Sequence, residues 1–435
     1  MRKIKLDTFP VGGLHGIINV PGDKSISHRA LMIGAISEGQ TVINHFLWSQ
    51  DCRSTLNALR QLGVTILENK EQVIVHGEGI GSLKSPEQSL EMGNSGTTTR
   101  LLMGLLAGTN FTSSLQGDES LSQRPMKRVA DPLSKMGAKI ATTKRGTLPA
   151  VVTGSKIHGT NIQLQVASAQ VKSAVIFAAL QADAPMTVTE KLPTRNHTEL
   201  MLRKFGADIT TQSDQKTINI KPVDKLRGQV INVPGDISSA AFFLVAAAIV
   251  PNSKVLLKNV SLNPTRTGIL RVLEQMGANF RIFYKENKDE SYGDIEIRTS
   301  ALKSIRIAEN DIPALVDELP LVALLAACAD GVSEIRGAAE LRVKETDRIA
   351  TVIQELSKLG VLINELPDGM VIHGRKSWET NTNVLDSHGD HRIGMMMAVA
   401  ALRTDQELYL NDSGAIAVSY PSFFVDLKSL LNGRS

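Results

Sequence analysis

Apolar and polar residues follow two recurring patterns along this chain, and the first is typical of an amphipathic helix that ends at a glycine. It closes on Leu-x-x-x-Gly at 59–63, 133–137, 202–206, 273–277 and 356–360. Glycine readily takes the left-handed conformation that closes a helix, and the alternating residues that follow predict strands. The glycines are 74, 69, 71 and 83 residues apart, so about six repeated units fit in 435 residues.

The second pattern is a helix that is apolar on nearly every side. Such helices belong in the middle of a packed unit, surrounded by its other elements. Their predicted starts lie near Ser25, Ser95, Gln170, Ser238, Glu318 and His391. Each unit therefore combines strands with one buried and one amphipathic helix, which places the chain in the α/β class.

The chain also contains a longer repeat. Residues 18–25 read Ile-Asn-Val-Pro-Gly-Asp-Lys-Ser, and residues 231–238 read Ile-Asn-Val-Pro-Gly-Asp-Ile-Ser, 213 residues later. This repeat divides the six units into two groups of three. It predicts one domain over 22–234 and a second, discontinuous domain formed by 1–21 and 235–435.

Composition narrows the classes of protein to be considered. Hydrophobic residues make up 42% and charged residues 21%, as in ordinary globular proteins. Aromatic residues are 4%, too few for base-stacking surfaces. The net charge is +4, so local clusters of charge matter more than the total.

Several other features point to a soluble cytoplasmic protein. Cys52 and Cys328 are two isolated thiols, which excludes a disulfide scaffold and fits a reducing compartment. The first ten residues lack the apolar run of a signal peptide, and the apolar stretches are too short to span a bilayer. The acids and histidines at 386–391 form one local group without a second cluster, which argues against a metal site.

Cations and hydroxyls are concentrated at the predicted starts of the buried helices in the first half. Helix N-termini attract anions. Lys24, Ser25 and Arg29 lie at the first start, Gly96 leaves room for a ligand at the second, and Arg124 lies in a Pro-rigidified turn. Ser168 and Gln170 repeat this polar start in the third unit. Taken singly, each of these motifs is also compatible with a capped helix and solvated charges.

The second half adds carboxylates to the cations. Asp317 and Glu318 precede an apolar run, and residues 342–348 contain three basic and two acidic side chains. The spacing predicts that Lys344 and Arg348 lie on one helix face at i and i+4. Together the two halves favour one site that binds an acidic small molecule, with Asp317 and Glu345 as proton-transfer candidates.

Six motifs in order resemble one enzyme family across nearly the whole chain. They are Gly-Asp-Lys-Ser-Ile-Ser-His-Arg at 22–29, Asn-Ser-Gly-Thr at 94–97, Arg-Pro-Met at 124–126, Ser-Ala-Gln at 168–170, Arg-Val-Lys-Glu-Thr-Asp-Arg at 342–348 and Asp-His-Arg at 390–392. The chain resembles the EPSP synthases. The resemblance implies a two-domain inside-out α/β barrel of six βαβαββ units, three per domain, with the active site in the interdomain cleft.

The resemblance also implies the reaction. The enolpyruvyl group of phosphoenolpyruvate would be transferred to the 5-hydroxyl of shikimate 3-phosphate, releasing phosphate, with no metal or organic cofactor. The implied catalytic residues are Asp317, which takes the hydroxyl proton, and Glu345 with Lys24, which handle the methylene proton. The implied ligands of shikimate 3-phosphate are Lys24, Ser25, Arg29, Ser168, Gln170, Arg195, Asp317 and Lys344. The implied ligands of phosphoenolpyruvate are Lys24, Gly96, Arg124, Gln170, Arg348 and Arg392.

Two departures from one branch of the family stand out. Val418 occupies a position where that branch has a lysine, and residues 195–199 differ as well. These features resemble a second class that often tolerates glyphosate, a competitor of phosphoenolpyruvate in this family.

Two alternative functions fit the sequence less well. A UDP-N-acetylglucosamine enolpyruvyl transferase would normally carry a cysteine near 115–125, where this chain has none. A non-catalytic anion-binding protein is disfavoured by the paired acids. The expected partners are therefore the two small substrates, without nucleic acid or membrane, and the expected state is a monomer.

Overall fold

The computed structural model describes residues 3–69, 71–285 and 290–433. The chain divides into two compact units. The first unit is Gly22–Val233, and the second combines Met1–Pro21 with Pro234–Ser435. Each unit is described separately.

The first unit contains six α-helices, one short 3₁₀ helix (Leu121–Gln123) and twelve strands among its described residues. Strands β1 (Ile4–Lys5) and β2 (His15–Ile18) precede it in the chain and belong to the second unit. The helices of the first unit are α1 (Lys24–Ala35), α2 (Gln50–Gln61), α3 (Gly96–Leu106), α4 (Lys127–Lys135), α5 (Ala169–Ala179) and α6 (His197–Lys204). Its strands are β3 (Glu38–Asn44), β4 (Thr65–Glu68), β5 (Gln72–Glu78), β6 (Leu90–Glu91), β7 (Thr112–Gln116), β8 (Lys139–Ala141), β9 (Ala150–Thr153), β10 (Ile162–Gln163), β11 (Met186–Thr189), β12 (Ile209–Thr211), β13 (Thr217–Ile220) and β14 (Val230–Asn232).

The strands of the first unit form three sheets with one common topology. Their orders are β14-β3-β5-β4, β6-β7-β9-β8 and β10-β11-β13-β12. In each sheet the first two strands are parallel and the other pairs are antiparallel. A parallel pair needs a crossover, and the buried helix supplies it in the second and third sheets. The first sheet instead receives its parallel strand β14 from the end of the unit.

The buried helices α1, α3 and α5 confirm the second sequence pattern. They begin at Lys24, Gly96 and Ala169, within one residue of the predicted starts. Nearly every residue after the first turn of each helix is buried. The sheets and the amphipathic helices α2, α4 and α6 complete one apolar core.

The helix-ending glycines are confirmed in both units. Gly63, Gly137 and Gly206 have φ angles of +86°, +97° and +101°, and Gly277 and Gly360 have +82° and +84°. Each lies two residues after the last helical residue. A β-carbon is strained at such positive φ values, which is why the sequence marks these ends with glycine.

The second unit repeats this organisation. Its helices are α7 (Ile237–Ile249), α8 (Gly268–Gln275), α9 (Leu319–Cys328), α10 (Arg348–Lys358), α11 (His391–Ala401) and α12 (Phe423–Leu431). Its further strands are β15 (Lys254–Ser261), β16 (Asn279–Lys285), β17 (Tyr292–Arg298), β18 (Arg306–Ile307), β19 (Val332–Ile335), β20 (Leu362–Leu366), β21 (Gly369–His373), β22 (Val384–Asp386) and β23 (Tyr409–Asn411). The buried helices α7, α9 and α11 begin within one residue of the predicted starts.

The last sheet of the second unit departs from the six-fold pattern. The first two sheets, β16-β17-β15-β2 and β18-β19-β21-β20, keep four strands, whereas the third is β1-β23-β22. Here β22 and β23 are parallel, and β1 pairs antiparallel with β23. The start of the chain therefore supplies the strand that the last repeat lacks. The inside-out α/β fold class is confirmed.

Candidate active site

The starts of the buried helices hold most of the residues that the sequence predicted for the site. Five of the six N-cap side chains accept a hydrogen bond from a backbone N–H in the first turn. These N-caps are Asp23, Ser95, Ser168, Asp236 and Asp390. At the sixth, α9, the carboxylate of Glu318 instead accepts from Ser238. Capping fixes the helix ends and leaves N–H groups that favour anions.

On α1, Lys24 and Arg29 are held by different partners. Lys24 Nζ lies 3.1 Å from Asp51 Oδ2, with both side chains mostly buried. Arg29 is 3% exposed and donates from Nε to Thr198 at 2.6 Å and from Nη2 to Ser173 at 2.7 Å. Arg29 thus ties α1 to α5 and α6, so its guanidinium has a fixed position in the first unit.

A chain of side-chain hydrogen bonds fixes α1 relative to α2 and α3. His28 Nδ1 lies 2.7 Å from Thr55 Oγ1, which lies 2.7 Å from Thr98 Oγ1. Thr98 in turn donates to Ser95 Oγ at 2.7 Å. Burial, together with Lys24 and Arg29, lowers the pKa of His28 well below its ordinary value. A neutral imidazole therefore links the cationic turn of α1 to the N-cap of α3.

Arg124 lies against the N-terminus of α3. Its Nη2 donates to Asn94 Oδ1 at 2.6 Å, and its Nη1 donates to the Asn94 carbonyl at 3.3 Å. A β-carbon added to Gly96 would lie 3.5 Å from Arg124 Nη1, an ordinary contact distance. The structure brings together Arg124 and Gly96, both of which the resemblance implies as ligands of phosphoenolpyruvate.

Gln170 joins α5 to α3. Its amide donates to Thr97 Oγ1 at 2.9 Å, and its carbonyl oxygen accepts from Arg100. Arg100 is 8% exposed and lies just beyond the motif at 94–97, so the motif assigns it no role. The sequence did contain a signal for Arg100, because it follows Gly96 by one helical turn. Its contact with Gln170, however, joins residues 70 positions apart, and the sequence pattern gives no information on such a contact.

Arg195 lies half-buried in the loop before α6. A buried ion cluster holds that loop: Lys172 Nζ lies 3.0 Å from Glu190 Oε2, 2.7 Å from Glu199 Oε1 and 3.2 Å from the Thr194 carbonyl. Burial raises the pKa of Glu190, an effect that Lys172 opposes. The cluster positions the loop, and Lys172 was a residue that the sequence argument left unassigned.

In the second unit, Arg348 connects three carboxylates. Its Nε lies 2.7 Å from Asp390 Oδ2, its Nη2 2.6 Å from Glu345 Oε2 and its Nη1 3.8 Å from Asp317 Oδ1. Burial lowers the pKa of Arg348, but Asp390 and Glu345 outweigh that effect and hold it above its ordinary value. Burial also raises the pKa of Asp390, and Arg348 outweighs this to give a net lowering.

Arg392 lies at the start of α11 and is 8% exposed. Its Nη1 donates to the Asp317 carbonyl at 2.9 Å, and its Nη2 lies 3.7 Å from Asp317 Oδ2. Asp317 therefore contacts both Arg348 and Arg392. The structure brings together these three predicted residues and Glu345 within the second unit.

The prediction that Lys344 and Arg348 share one helix face is wrong. Lys344 follows a 3₁₀ helix over Ala339–Val343, and α10 begins at Arg348. Asp347 is the N-cap and accepts from the backbone N–H groups of Ile349 and Ala350, so the helix starts after it. Burial lowers the pKa of Lys344, while Asp317 and Glu340 oppose that shift. Lys344 thus remains close to the carboxylates.

Other candidate chemistries find less support within the described residues. No group of three or more His, Cys, Asp or Glu side chains there could hold a metal ion, and no helix there is long and apolar enough to cross a membrane. Cys52 and Cys328 are free thiols, and burial raises the pKa of Cys328 to about 12. Val418 is half-buried at the end of a 3₁₀ helix over Ser413–Val418.

A family model and named relatives match this chain along most of its length. The model described as EPSP synthase (3-phosphoshikimate 1-carboxyvinyltransferase) matches residues 10–427. A 3-phosphoshikimate 1-carboxyvinyltransferase of Limosilactobacillus fermentum is 58% identical over 96% of this chain and 97% of its own. The enzyme of that name from Bacillus subtilis is 50% identical over 99% of both chains.

Solved structures show the same likeness. The EPSP synthase of Acinetobacter baumannii superimposes with a TM-score of 0.86 at 42% identity, covering 99% of this chain and 98% of that one. An enolpyruvyl transferase of Streptomyces tendae superimposes with a TM-score of 0.77 at 15% identity, covering 98% of this chain and 97% of that one. The second likeness is evidence for the fold alone.

Proposed function

Because the chain belongs to the EPSP synthase family, we propose that it is a transferase that moves the enolpyruvyl group of phosphoenolpyruvate to the 5-hydroxyl of shikimate 3-phosphate. The products are 5-enolpyruvylshikimate 3-phosphate and phosphate, and the reaction belongs to the shikimate pathway of aromatic amino-acid biosynthesis. The reaction as written needs no metal and no organic cofactor.

The observation that carries the proposal is the placing of Asp317 between two buried arginines. Its carboxylate lies 3.8 Å from Arg348 Nη1 and 3.7 Å from Arg392 Nη2. Arginines bind carboxylate and phosphate groups well, and a carboxylate between them suits proton transfer next to a bound anion. Phosphoenolpyruvate supplies such an anion, and the acceptor hydroxyl supplies the proton.

The first unit is proposed to hold most of shikimate 3-phosphate. Ser25, Arg29, Ser168, Gln170 and Arg195 would bind it there, and Lys344 and Asp317 would contact it from the second unit. The support is the cluster of cations and hydroxyls at the N-termini of α1 and α5, where helix ends add partial positive charge. That both units contribute to one cleft between domains stays a prediction.

The phosphoenolpyruvate ligands are proposed on the same grounds. Gly96 and Arg124 lie together at the start of α3, while Arg348 is the first residue of α10 and Arg392 is the second residue of α11. Lys24 and Gln170 would reach both substrates. Four cationic groups would neutralise the phosphate and the carboxylate without a metal ion.

The proposed chemistry is addition followed by elimination. Asp317 takes the proton of the 5-hydroxyl while the hydroxyl oxygen bonds to C2 of phosphoenolpyruvate. Glu345, with Lys24, delivers a proton to the methylene carbon, which becomes a methyl group. The tetrahedral intermediate then loses a proton from the new methyl group, the C2–phosphate oxygen bond breaks and phosphate leaves. Glu345 is paired with Arg348, which orients its carboxylate.

The direct test is phosphate release by the purified protein with both substrates. We expect release that needs phosphoenolpyruvate and shikimate 3-phosphate together, with one enolpyruvyl product per phosphate by mass spectrometry. Unphosphorylated shikimate and UDP-N-acetylglucosamine are the control acceptors. Release with UDP-N-acetylglucosamine instead, or binding of both substrates without turnover, would contradict the proposal. The monomeric state and cytoplasmic location stay predictions.

A further inference from the structure

Helices α1 and α7 begin with two copies of one sequence segment. Residues 22–25 are Gly-Asp-Lys-Ser, and residues 235–238 are Gly-Asp-Ile-Ser. Asp23 and Asp236 both cap their helices. The copies differ at the position after the aspartate, where Lys24 is replaced by Ile237, which is fully buried. The second copy has therefore lost the cation of the first.

The hydroxyl of the second copy is occupied by the protein's own side chains. Ser238 Oγ donates to Glu318 Oε1 and accepts from Arg266 Nη2 at 2.7 Å. Arg266 is 2% exposed and also lies 3.2 Å from Asp236 Oδ1. A carboxylate of this chain thus accepts the hydrogen bond of the serine hydroxyl at the start of α7.

Glu318 extends this network to the proposed active site. Its side chain is fully buried, and its Oε1 lies 3.7 Å from Arg392 Nη1. The same Nη1 donates to the Asp317 carbonyl at 2.9 Å. A buried carboxylate is costly to desolvate unless it is paired, and here Ser238 and Arg392 supply the pairing.

We infer that Glu318 is a positioning residue for Arg392, and this inference rests on the proposed role of Arg392 in binding phosphoenolpyruvate. Ser238, which is itself held by Arg266, fixes the carboxylate, and the charge of that carboxylate holds Nη1 of Arg392 next to the Asp317 carbonyl. Nη2 then remains directed towards the Asp317 carboxylate, where the proposed chemistry occurs. Without the charge of Glu318, the Arg392 guanidinium keeps its contacts with Asp317 but loses its second carboxylate neighbour.

The first variant is Glu318→Gln, which keeps the shape and the acceptor for Ser238 but removes the charge. We expect the KM for phosphoenolpyruvate to rise about tenfold, within the range of coupling between groups in one network. The dissociation constant of shikimate 3-phosphate alone should change less than about twofold, since Arg392 is not among its proposed ligands. A purely structural role would lower the Tm without separating the two substrates.

Glu355→Gln is the matched control. Glu355 is also fully buried in the second unit, but its Oε1 lies 2.7 Å from Lys358 Nζ and from His388 Nε2. We expect it to lower the Tm while leaving the KM for phosphoenolpyruvate within about twofold of the wild-type value. Ser238→Ala removes the hydroxyl that donates to Glu318, and it should raise the KM for phosphoenolpyruvate by less than Glu318→Gln does. If the Glu318→Gln variant fails to fold, Ser238→Ala still tests the inference.

A double-mutant cycle with Arg392→Lys completes the test. If Glu318 acts through Arg392, adding Glu318→Gln to Arg392→Lys produces little further rise in the KM for phosphoenolpyruvate. Additive effects, equal changes for both substrates, or an unchanged KM in Glu318→Gln would overturn the inference. Failure of the proposed function is distinct, since the wild-type protein would then release no phosphate.

Discussion

The two units use the same kind of helix start for different kinds of side chain. In the first unit, the starts of α1 and α3 carry Lys24, Gly96 and the nearby Arg124. In the second unit, the starts of α9 and α11 carry the carboxylates Glu318 and Asp390, paired with arginines. A duplicated architecture can therefore place cations at the helix starts of one unit and arginine–carboxylate pairs at the helix starts of the other.

The contrast is sharpest between the two copies of the Gly-Asp-x-Ser segment. Lys24 in the first copy lies beside Asp51 and keeps about a fifth of its side chain exposed, whereas Ile237 in the second is fully buried. Ser238 is bonded to Glu318 and Arg266. One substituted side chain, with its new neighbours, separates a proposed ligand site from a closed internal network.

The largest expected effect is a loss of kcat when Asp317, the carboxylate between Arg348 and Arg392, is replaced. Asp317→Asn keeps the shape and the backbone carbonyl that Arg392 contacts, but removes the proton acceptor. We expect kcat to fall about 10²- to 10⁴-fold, the usual contribution of general acid–base catalysis. The KM for phosphoenolpyruvate should change much less than kcat, because Arg348 keeps its contact with Asp390 and Arg392 keeps its contact with the carbonyl of residue 317. A loss of kcat below about threefold in steady-state assays would show that Asp317 is not the base.

The next effect should come from making the first copy resemble the second. Lys24→Ile removes the cation at the start of α1, and kcat/KM should fall roughly 10- to 150-fold, as for loss of a hydrogen bond to a charged group. Ile237→Val in the second copy is the control: it should cost about 0.5–1.5 kcal/mol of stability and leave kcat/KM unchanged. Equal kinetic effects of the two substitutions would mean that the copies do not differ in function.

A smaller effect is expected at the start of α3. In Gly96→Ala, the added methyl would lie 3.5 Å or more from its nearest neighbours, so the fold has room for it and the Tm should change little. Any effect then falls on the bound ligand. Glyphosate is longer than phosphoenolpyruvate, and overpacking of about 1–3 kcal/mol should raise its Ki at least about fivefold more than the KM for phosphoenolpyruvate. Parallel rises in Ki and KM would show that residue 96 does not discriminate between them.

The smallest expected effect is a change in the pH dependence of the KM for shikimate 3-phosphate when Lys344 is replaced. Burial lowers the pKa of Lys344, so the folded protein loses this charge at a lower pH than an ordinary lysine does. The KM for shikimate 3-phosphate should therefore rise with pH below the usual lysine range. Lys344→Arg, which stays charged, should shift that rise to higher pH. An identical pH profile for the two proteins would exclude Lys344 as a ligand.

Local signals in the sequence were enough to predict much of the fold. The glycines at positive φ mark the ends of amphipathic helices, and uniformly apolar runs mark the buried ones, because both features depend on local backbone or burial requirements. The three-stranded last sheet was not predicted, since β1 and β23 are some 400 residues apart in the chain. The start of α10 was misplaced because Asp347, as N-cap, competes with the charge pattern around it.

Site residues that lie in recognisable sequence motifs could be predicted. Contacts between residues far apart in the chain could be predicted less well. Asp317, Arg348 and Arg392 come from separate segments of the sequence, and the structure brings the Asp317 carboxylate within 4 Å of both guanidinium groups. Glu318 was seen as part of a carboxylate pair, but its bond to Ser238 joins residues 80 positions apart. Periodicity gives no information on such a contact, so its role became visible only in the folded unit.

The most direct test of the difference between the two copies is a crystal structure with shikimate 3-phosphate bound. We expect the phosphate at the start of α1, in contact with Ser25, while Ser238 stays bonded to Glu318 and Arg266. A phosphate bound to Ser238, with Glu318 displaced, would contradict the account.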